Sequence, residues 1–535
     1  MHEIYMPQFQ AAVQQGRAAA VMCAYSTING QYACQNNYID DVMDNQFGFT
    51  GFITSDWTAT HSTVPSALAG LDMEMPSGTY FSAPLVQAVQ NGQVPLSQLR
   101  DMASRILTEM FRFGLFNKKA SGSVNAVVTN PAHAAVAKRV AEESTVLLRN
   151  GGGMLPLSTD TVRSIAVIGP DGTTSPLTSG GGSAAVTPPY VVSPLQGITA
   201  RAGSGVSVTS YSGTDPNQAA ATATAAQVAV VFASNFERER TDLPNITLSG
   251  NQNQYIAAVA KANPNTIVVL NTGSAVTMPW INQVKGVLEA WYPGQEDGNA
   301  IAAILFGDVD PSGKLPVTFP QSLAQVPAST PAQWPGVDGK VLYSEGLDVG
   351  YRWYDAKQLV PLFPFGFGLS YTNFTFSHLT VSPAAVKNSS SLPALTSGGN
   401  LATVTAQVTN TGPVAGADVA QLYLGDPSSA GEPPRQLKGF QKVYLQPGQS
   451  ATVHFTLDGQ ALSYWDTQAN GWFLPDGTFH VYVGDSSALT NLPLGGDFTI
   501  VKPVGARYPS LAAPPEGGVE VGLHRDRTAR RVGPS

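Results

Sequence analysis

Over residues 1–118, short apolar runs alternate with segments of helical periodicity. The runs predict buried strands at 18–25, 51–57 and 70–76, with helices near 5–15, 40–45, 64–69, 83–91 and 97–113. Strands that alternate with helices are typical of a parallel sheet covered by helices. Three such strands leave sheet edges and one face uncovered, whereas a closed barrel needs eight. The pattern therefore predicts either part of a (β/α)₈ barrel or a sheet that another element completes.

Residues 130–335 show a second β/α pattern, which predicts an open α/β sandwich domain with helices on both faces. The predicted elements are an amphipathic helix at 132–150, a helix at 252–262, and strands at 164–170, 228–233, 266–272 and 286–291. Residues 336–374 are rich in aromatic residues, glycine and proline, with little periodicity, and are predicted to form a connector.

From 375 to 502 the hydrophobic period changes to two. Val404, Ala406 and Val408 alternate with polar residues, and Pro447-Gly448 is one of several turn signals between such runs. This pattern predicts an antiparallel β-sandwich of the immunoglobulin or fibronectin type III kind. Residues 503–535, rich in proline and then in arginine, are predicted to be a disordered tail.

Composition adds a polar, weakly charged surface to this picture. Only 12% of the residues are charged and 43% are hydrophobic, which suits an exported protein that meets neutral ligands such as sugars. A formal net charge of −8 argues against a nucleic-acid partner. No apolar run approaches the roughly 20 residues of a membrane span, and no signal peptide is visible in this chain. The expected location of the full-length protein is secreted or periplasmic.

Two cysteines and seven histidines limit the available chemistry. Cys23 and Cys34 leave open either one small-loop disulfide or two buried thiols. The histidines lack metal-ligand spacing, no GxSxG elbow occurs, and the Gly180–Gly182 run does not lie between a strand and a helix. We therefore predict neither a metal nor a cofactor, and carboxylate chemistry is what is left.

Asp56 is the first carboxylate candidate, because it follows the apolar run at 51–55 and precedes Trp57. In α/β barrels the residues just past a strand's carboxyl end form the active-site face. Glycoside hydrolysis needs two such carboxyl groups, one ionised and one protonated. The alternative is that Asp56 caps a helix or forms a turn.

A second carboxylate is expected after the strand at 228–233, where residues 234–242 form a densely charged loop. Glu237 and Glu239 are its candidates. The loop is either a solvated, ion-paired surface segment or one that projects across a domain interface, where ligand sites often lie.

Several long motifs, in order, resemble glycoside hydrolase family 3 of the β-glucosidase type, and the resemblance runs almost end to end. The matching stretches are Val21–Ser26 with Asn29-Gly30, Gly51–Trp57, Ala69–Pro76, Asp310–Pro316, Glu345-Gly346, Gly350–Arg352 and Leu362–Thr372. The resemblance implies that residues 1–118 are the C-terminal part of a barrel and that 375–502 are a fibronectin type III-like domain.

The resemblance also implies a retaining, double-displacement mechanism. Asp56 matches the family's nucleophile in its Ser-Asp-Trp motif. Glu239 best matches the acid/base carboxylate of a Glu-Gly-x-Asp pattern, although Arg240 stands where the family has glycine, and Glu237 is the rival.

Substrate-binding positions follow from the same resemblance. Met22, Tyr25 and Trp57 match positions that line the glycone pocket, and Ser183 is a further substrate-binding candidate. The alternative for Met22 and Tyr25 is an ordinary core position at a strand end. The expected partner is a small β-glucoside or oligosaccharide that loses its non-reducing terminal glucose.

The first part of the family's barrel, with its sugar-binding side chains, is not among the segments matched here. We therefore expect this chain alone to be impaired or inactive, because positioning supplies much of the catalytic rate. Two alternatives stay open: a β-xylosidase or broad-specificity β-glycosidase, and a catalytically inactive carbohydrate-binding fragment.

Overall fold

The computed structural model describes residues 1–119, 121–387 and 399–501. Within these residues the chain forms two compact units. The first comprises Met1–Ala126 and Trp465–Phe473, and the second comprises Val127–Tyr464 and residues 474–501. The tail predicted to be disordered, 503–535, lies outside the described residues. None of the described helices is both long and apolar enough to cross a membrane.

The first unit has the expected β/α alternation around a small parallel sheet. Its helices are α1 (Pro7–Gln14), α2 (Asn37–Asp41), α3 (Val64–Leu68), α4 (Ala83–Gln90) and α5 (Leu96–Arg112), and its strands are β1 (Ala20–Cys23), β2 (Thr27–Ile28), β3 (Gln31–Tyr32) and β4 (Phe52–Ser55). Strand β1 pairs with β4 in parallel, with Cys23 opposite Ser55. A π-helical turn, Val42–Gln46, continues α2.

The third strand predicted at 70–76 is not formed. Only Met73 makes a parallel bridge, to Thr54 of β4. Asp72 folds back so that its Oδ2 accepts a hydrogen bond from the Ile53 amide at 2.8 Å. Backbone bonds from Asp72 and Met73 to the Ile53 carbonyl keep the segment beside β4.

A disulfide joins Cys23 and Cys34, with their Cα atoms 5.2 Å apart. It connects the carboxyl end of β1 to the loop after β3 and decides between the two possibilities that the sequence left open. The core of this unit lies beside it and includes Val42, Met43 and Leu71.

The second unit contains the predicted open α/β sandwich. Its strands are β5 (Val146–Asn150), β6 (Ser164–Ile168), β7 (Ser207–Tyr211), β8 (Val228–Ser234), β9 (Thr266–Asn271) and β10 (Gly286–Glu289), and its helices are α6 (Pro131–Ser144), α7 (Pro170–Thr173), α8 (Pro194–Ala202), α9 (Pro216–Thr224), α10 (Gln252–Ala262) and α11 (Asp297–Leu305). The order in the sheet is β5-β10-β9-β8-β6-β7, and only β5 is antiparallel to its neighbour.

For this domain the sequence analysis made one wrong prediction and missed one strand. The helix predicted at 132–150 ends at Ser144, and Val146–Asn150 forms edge strand β5. Val146, Leu147 and Leu148 continue an apolar pattern that fits either element, and pairing with β10 makes the segment extended. Strand β7, Ser207–Tyr211, was missed because its side chains are largely exposed and polar.

The sheet is buried on both faces, which is why its central strands are almost entirely apolar. Alternate residues of β6 face opposite layers: Ala166 packs with α9 and α10, whereas Ile165 packs with α8 and α11.

The predicted connector contains one short helix, α12 (Tyr351–Ala356), and the predicted sandwich follows. One sheet contains β11 (Phe374–Ser382), β13 (Asn400–Asn410) and β16 (Ser450–Asp458), and the other contains β12 (Ala385–Lys387), β14 (Gly416–Gly425), β15 (Gln436–Leu445), β19 (Gly477–Gly484) and β20 (Leu494–Val501). Strands β17 (Tyr464–Asp466) and β18 (Gly471–Phe473) form a separate two-stranded sheet, and Trp465–Phe473 belongs to the first unit. Val404, Ala406 and Val408 are all buried in the core between the sheets, as their period of two predicts.

Candidate active site

Asp56 lies immediately after the last residue of β4, at the carboxyl end of the small parallel sheet. Its amide donates to the Cys23 carbonyl at 3.0 Å, which extends the pairing of β1 and β4 by one step. The preceding Ser55 is fully buried, and its Oγ accepts a hydrogen bond from the Met75 amide at 2.9 Å. The backbone of Asp56 is therefore fixed from both sides while its side chain points out of the sheet's end.

One oxygen of the Asp56 carboxylate is held and the other is open. Oδ1 accepts hydrogen bonds from the Tyr25 hydroxyl at 2.9 Å and from the Trp57 amide at 2.6 Å. Within residues 1–119, 121–387 and 399–501, no donor is within hydrogen-bond distance of Oδ2. Two donors on one oxygen orient the carboxylate and leave Oδ2 available for an incoming group.

The side chains expected to surround Asp56 are exposed. Met22 is 53% exposed, Tyr25 39% and Trp57 50%. The alternative that Met22 and Tyr25 are ordinary core residues is therefore wrong. Of the three, Tyr25 contacts Asp56 through its hydroxyl, and Trp57 follows Asp56 directly in the chain.

Two other carboxylates near this strand accept hydrogen bonds from backbone amides. Burial raises the pKa of Asp72 to about 7, and this side chain holds the Ile53 amide. Glu74 accepts hydrogen bonds from the amides of Thr79, Tyr80 and Phe81. Neither offers an accessible free oxygen, because Asp72 is buried and both oxygens of Glu74 accept backbone hydrogen bonds.

The charged loop after β8 forms a tight turn. Arg238 and Thr241 make an antiparallel bridge, so that Glu239 and Arg240 lie at the tip. Arg240 has a φ of 62°, in the left-handed region that favours glycine. The turn thus requires the conformation that glycine adopts easily, which accounts for the family's glycine at the position that Arg240 occupies here.

Glu239 is held by Ser183. Its Oε2 accepts hydrogen bonds from the Ser183 amide at 2.9 Å and from the Ser183 hydroxyl at 2.7 Å. Gly182 has a φ of +100°, and a Cβ there would lie 2.8 Å from the same oxygen. The approach of the carboxylate to the Ser183 amide therefore depends on a glycine at 182.

Glu237 is held in a different way. Its Oε1 accepts hydrogen bonds from the Gly273 amide at 3.0 Å and from the Ser274 hydroxyl at 2.9 Å. Its side chain is half-buried, whereas that of Glu239 is exposed. The two rival carboxylates thus differ: one anchors the turn after β9, and the other sits at an exposed loop tip.

Sequence reasoning missed the contribution of two glycine segments. Gly180–Gly182 runs beside the charged loop, with a hydrogen bond from the Gly181 amide to the Glu237 carbonyl at 2.9 Å. Gly273 and Ser274 bind the Glu237 carboxylate. A run of small residues permits close backbone approach, but its partner cannot be read from the local pattern. Among the described residues, no group of three or more His, Cys, Asp or Glu side chains could hold a metal ion.

Three family models match this chain. The glycosyl hydrolase family 3 N-terminal domain matches residues 1–109, the family 3 C-terminal domain matches 145–371, and the fibronectin type III-like domain matches 418–487. This domain set confirms the fold class predicted from the sequence: part of a barrel, an open α/β domain and a β-sandwich.

Curated relatives and solved structures agree with these models. The probable β-glucosidase L of Aspergillus fumigatus is 39% identical over 91% of this chain and 71% of its own. The thermostable β-glucosidase B of Acetivibrio thermocellus is 40% identical over 91% of this chain and 64% of its own. The crystal structure of DesR, a β-glucosidase from Streptomyces venezuelae in complex with D-glucose, matches with a TM-score of 0.85 and 33% identity, over 94% of this chain and 78% of its own.

The three domain matches and these relatives define a multidomain glycosidase. More specifically, the chain belongs to glycoside hydrolase family 3.

Proposed function

We propose that the protein is a retaining β-glucosidase, which releases non-reducing terminal β-D-glucose from β-glucosides and oligosaccharides. The observation that carries the proposal is the Asp56 carboxylate, with one oxygen fixed by Tyr25 and Trp57 and the other open. The choice of glucose is supported by the names of the relatives, including a neighbour with D-glucose bound.

In the first step, Oδ2 of Asp56 attacks the anomeric carbon, and the bond from that carbon to the leaving oxygen breaks. The products are a glycosyl-enzyme ester and the aglycone alcohol. Tyr25 and the Trp57 amide keep the carboxylate oriented during the attack. Met22, Tyr25 and Trp57 supply the apolar surface on which the sugar ring packs.

Glu239 is the acid/base group in this proposal. It gives its proton to the leaving oxygen in the first step and takes one from the water that hydrolyses the ester in the second. Its exposed position at the tip of the turn supports this role, and Ser183 orients it. Glu237 is less suited, because its side chain is half-buried whereas that of Glu239 is exposed.

We further propose a secreted or periplasmic location. The Cys23–Cys34 disulfide supports an oxidising compartment, and the low charge supports contact with neutral sugars.

The test measures turnover of an aryl β-glucoside by the 535-residue chain and by Asp56→Asn. Removal of the nucleophile should lower kcat by at least about 1,000-fold. Asp160→Asn, at an exposed position, is the matched control and should leave kcat unchanged. Labelling with a 2-deoxy-2-fluoro-β-glucoside, followed by peptide mass analysis, should locate the covalent sugar on Asp56. A label elsewhere, or full activity of Asp56→Asn, would overturn the assignment.

Other outcomes of the same assay identify the two alternatives. Faster turnover of an aryl xyloside than of the glucoside would make the protein a β-xylosidase. Binding of glucose or cellobiose without any turnover would identify a carbohydrate-binding protein.

A further inference from the structure

Glu289, the last residue of β10, is fully buried at the carboxyl end of the six-stranded sheet. Its Oε1 accepts a hydrogen bond from the Trp291 amide at 3.0 Å. Its Oε2 lies 3.1 Å from the hydroxyl of Thr272, which follows β9. A buried charge without a partner of opposite sign is costly, so the protonation state of this group matters.

The hydrogen bonds of Thr272 determine that state. Its Oγ1 lies 2.8 Å from the Ser274 carbonyl oxygen and 3.1 Å from Oε2 of Glu289. A hydroxyl group has one hydrogen, and a carbonyl oxygen can only accept. Thr272 can therefore donate to only one of these two oxygens, and the Ser274 carbonyl is the nearer one. When Thr272 donates to Ser274, the hydrogen between Thr272 and Glu289 must come from Oε2, and Glu289 is then a neutral carboxylic acid.

The electrostatic surroundings agree with this assignment. Burial raises the pKa of Glu289 to about 8, against the lowering effect of hydrogen bonds from Trp291 and Thr272, and the negative charge of Glu237 adds a smaller rise. The titratable groups that act on this position are Glu237, on the loop after β8, and the phenol of Tyr292, which follows β10. The end of β9 contributes the uncharged Thr272.

Glu289 is hydrogen-bonded to both chain segments that bind Glu237, the turn after β9 and the segment after β10. Through Thr272 it fixes the turn whose Gly273 amide and Ser274 hydroxyl bind the Glu237 carboxylate. Through the Trp291 amide it fixes the segment that carries Tyr292. The Tyr292 hydroxyl accepts a hydrogen bond from the Glu237 amide at 3.1 Å and donates to the Asn235 carbonyl at 2.7 Å.

We propose that neutral Glu289 is a positioning residue for the loop that carries Glu239, acting through Thr272 and Glu237, and that its ionisation releases this loop. The inference rests on the proposed function, in which Glu239 is the acid/base group. Ionised Glu289 can only accept, so the Thr272 hydroxyl would turn towards it and leave the Ser274 carbonyl unpaired. The new charge would also repel Glu237.

The first test follows kcat against pH from 6 to 10 with 2,4-dinitrophenyl β-glucoside. This leaving group departs without general-acid help, so the ionisation of Glu239 does not by itself lower the rate of the first step. Wild-type kcat should still fall as Glu289 ionises, because release of the loop displaces Glu239, the general base of the second step. Glu289→Gln donates from its amide to Thr272 at every pH, so we expect kcat within about twofold at pH 7 and an alkaline limb displaced by at least one pH unit. Thr272→Val should lower kcat at pH 7 by about tenfold or more.

Glu296→Gln is the matched control. Glu296 is also buried and lies beyond β10, but its carboxylate bonds to Tyr190 and Asn299 instead of Thr272. It should keep the wild-type alkaline limb. If kcat falls at the same alkaline pH in Glu289→Gln and in the wild type, the proposal is overturned.

The second test does not need turnover. Hydrogen exchange of the backbone amides in residues 234–242, corrected for the intrinsic effect of pH, should show protection lost between pH 7 and 9 in the wild type and kept in Glu289→Gln. Equal loss in both proteins would overturn the proposal. If no β-glucoside is hydrolysed, the proposed function fails by itself, and the exchange experiment still decides the role of Glu289 in holding the loop.

Discussion

The Tyr25 hydroxyl donates a 2.9 Å hydrogen bond to Oδ1 of Asp56, from a position 31 residues earlier in the chain. The parallel pairing of β1 and β4, with Cys23 opposite Ser55, brings the ends of the two strands together. Asp56 is thereby oriented by a residue of the neighbouring strand's loop, and among the described residues no donor is within hydrogen-bond distance of its second oxygen.

Loss of the Tyr25 hydroxyl should lower the rate. A hydrogen bond to a charged group contributes about 1.5–3 kcal/mol, so Tyr25→Phe should reduce kcat by roughly 10- to 100-fold. KM should change little, because the aromatic ring is kept. The measurement is steady-state kinetics on an aryl β-glucoside. Tyr32→Phe is the control, because Tyr32 is also exposed and stacks on His61 instead of binding Asp56; an equal loss in this variant would contradict the assignment.

A side chain at position 182 should displace Glu239. A Cβ there would meet the Glu239 carboxylate at 2.8 Å, and φ is +100°. Gly182→Ala should therefore lower kcat for alkyl β-glucosides, which need an acid, by more than for 2,4-dinitrophenyl β-glucoside.

The control for this experiment is Gly205→Ala, since a Cβ at 205 meets nothing within 4 Å. Gly205→Ala should leave kcat unchanged for both substrates. An equal loss on both substrates in Gly182→Ala would point to a general structural defect and argue against acid/base positioning.

Arg240→Gly should stabilise the turn after β8. A residue with a side chain in the left-handed region costs roughly 1–2 kcal/mol, part of which glycine loses again through its greater freedom in the unfolded chain. We expect a net gain of about 1 kcal/mol or less in the free energy of unfolding, read from urea denaturation. Arg238→Gly, at a position without positive φ, should instead lose about 0.5–1 kcal/mol. A loss in both variants would show that contacts of the Arg240 side chain outweigh its backbone strain.

Burial of Asp171 should make stability fall as pH rises. Burial raises its pKa from 3.8 to about 7, and its Oδ1 accepts a hydrogen bond from the Leu177 amide. Between about pH 4 and 7 the folded state therefore binds more protons at this group than the unfolded state does. The contribution of protonated Asp171 to the free energy of unfolding is fully present below about pH 4. It falls by on the order of a few kcal/mol between pH 4 and pH 7 and does not change above pH 7.

The check compares unfolding midpoints of the wild type and Asp171→Asn from pH 4 to 8. Asp171→Asn lacks the titrating group, so its stability should fall less between pH 4 and 8 than that of the wild type. The amide also changes stability by an amount that does not depend on pH. Asp160→Asn, which is exposed, should follow the wild type at every pH. Parallel curves for Asp171→Asn and the wild type would show that Asp171 ionises normally.

The sequence by itself determined the order of elements and the position of Asp56. Alternating apolar runs and helical segments located β1, β4 and five helices in the first unit, because burial on one or both faces leaves a period that is local in the chain. The period of two predicted the sandwich for the same reason. Asp56 could be singled out because it ends such a run and lies in a Ser-Asp-Trp motif.

Tertiary structure decided which distant groups meet. The residues 146–150 are extended because β10 pairs with them, and Ser183 reaches Glu239 across 56 positions of sequence. Glu289 is buried beside the Thr272 hydroxyl, which is also within hydrogen-bond distance of the Ser274 carbonyl. Local periodicity encodes which face of an element is buried; the protonation and orientation of a side chain depend on neighbours that only the packed chain brings within hydrogen-bond distance.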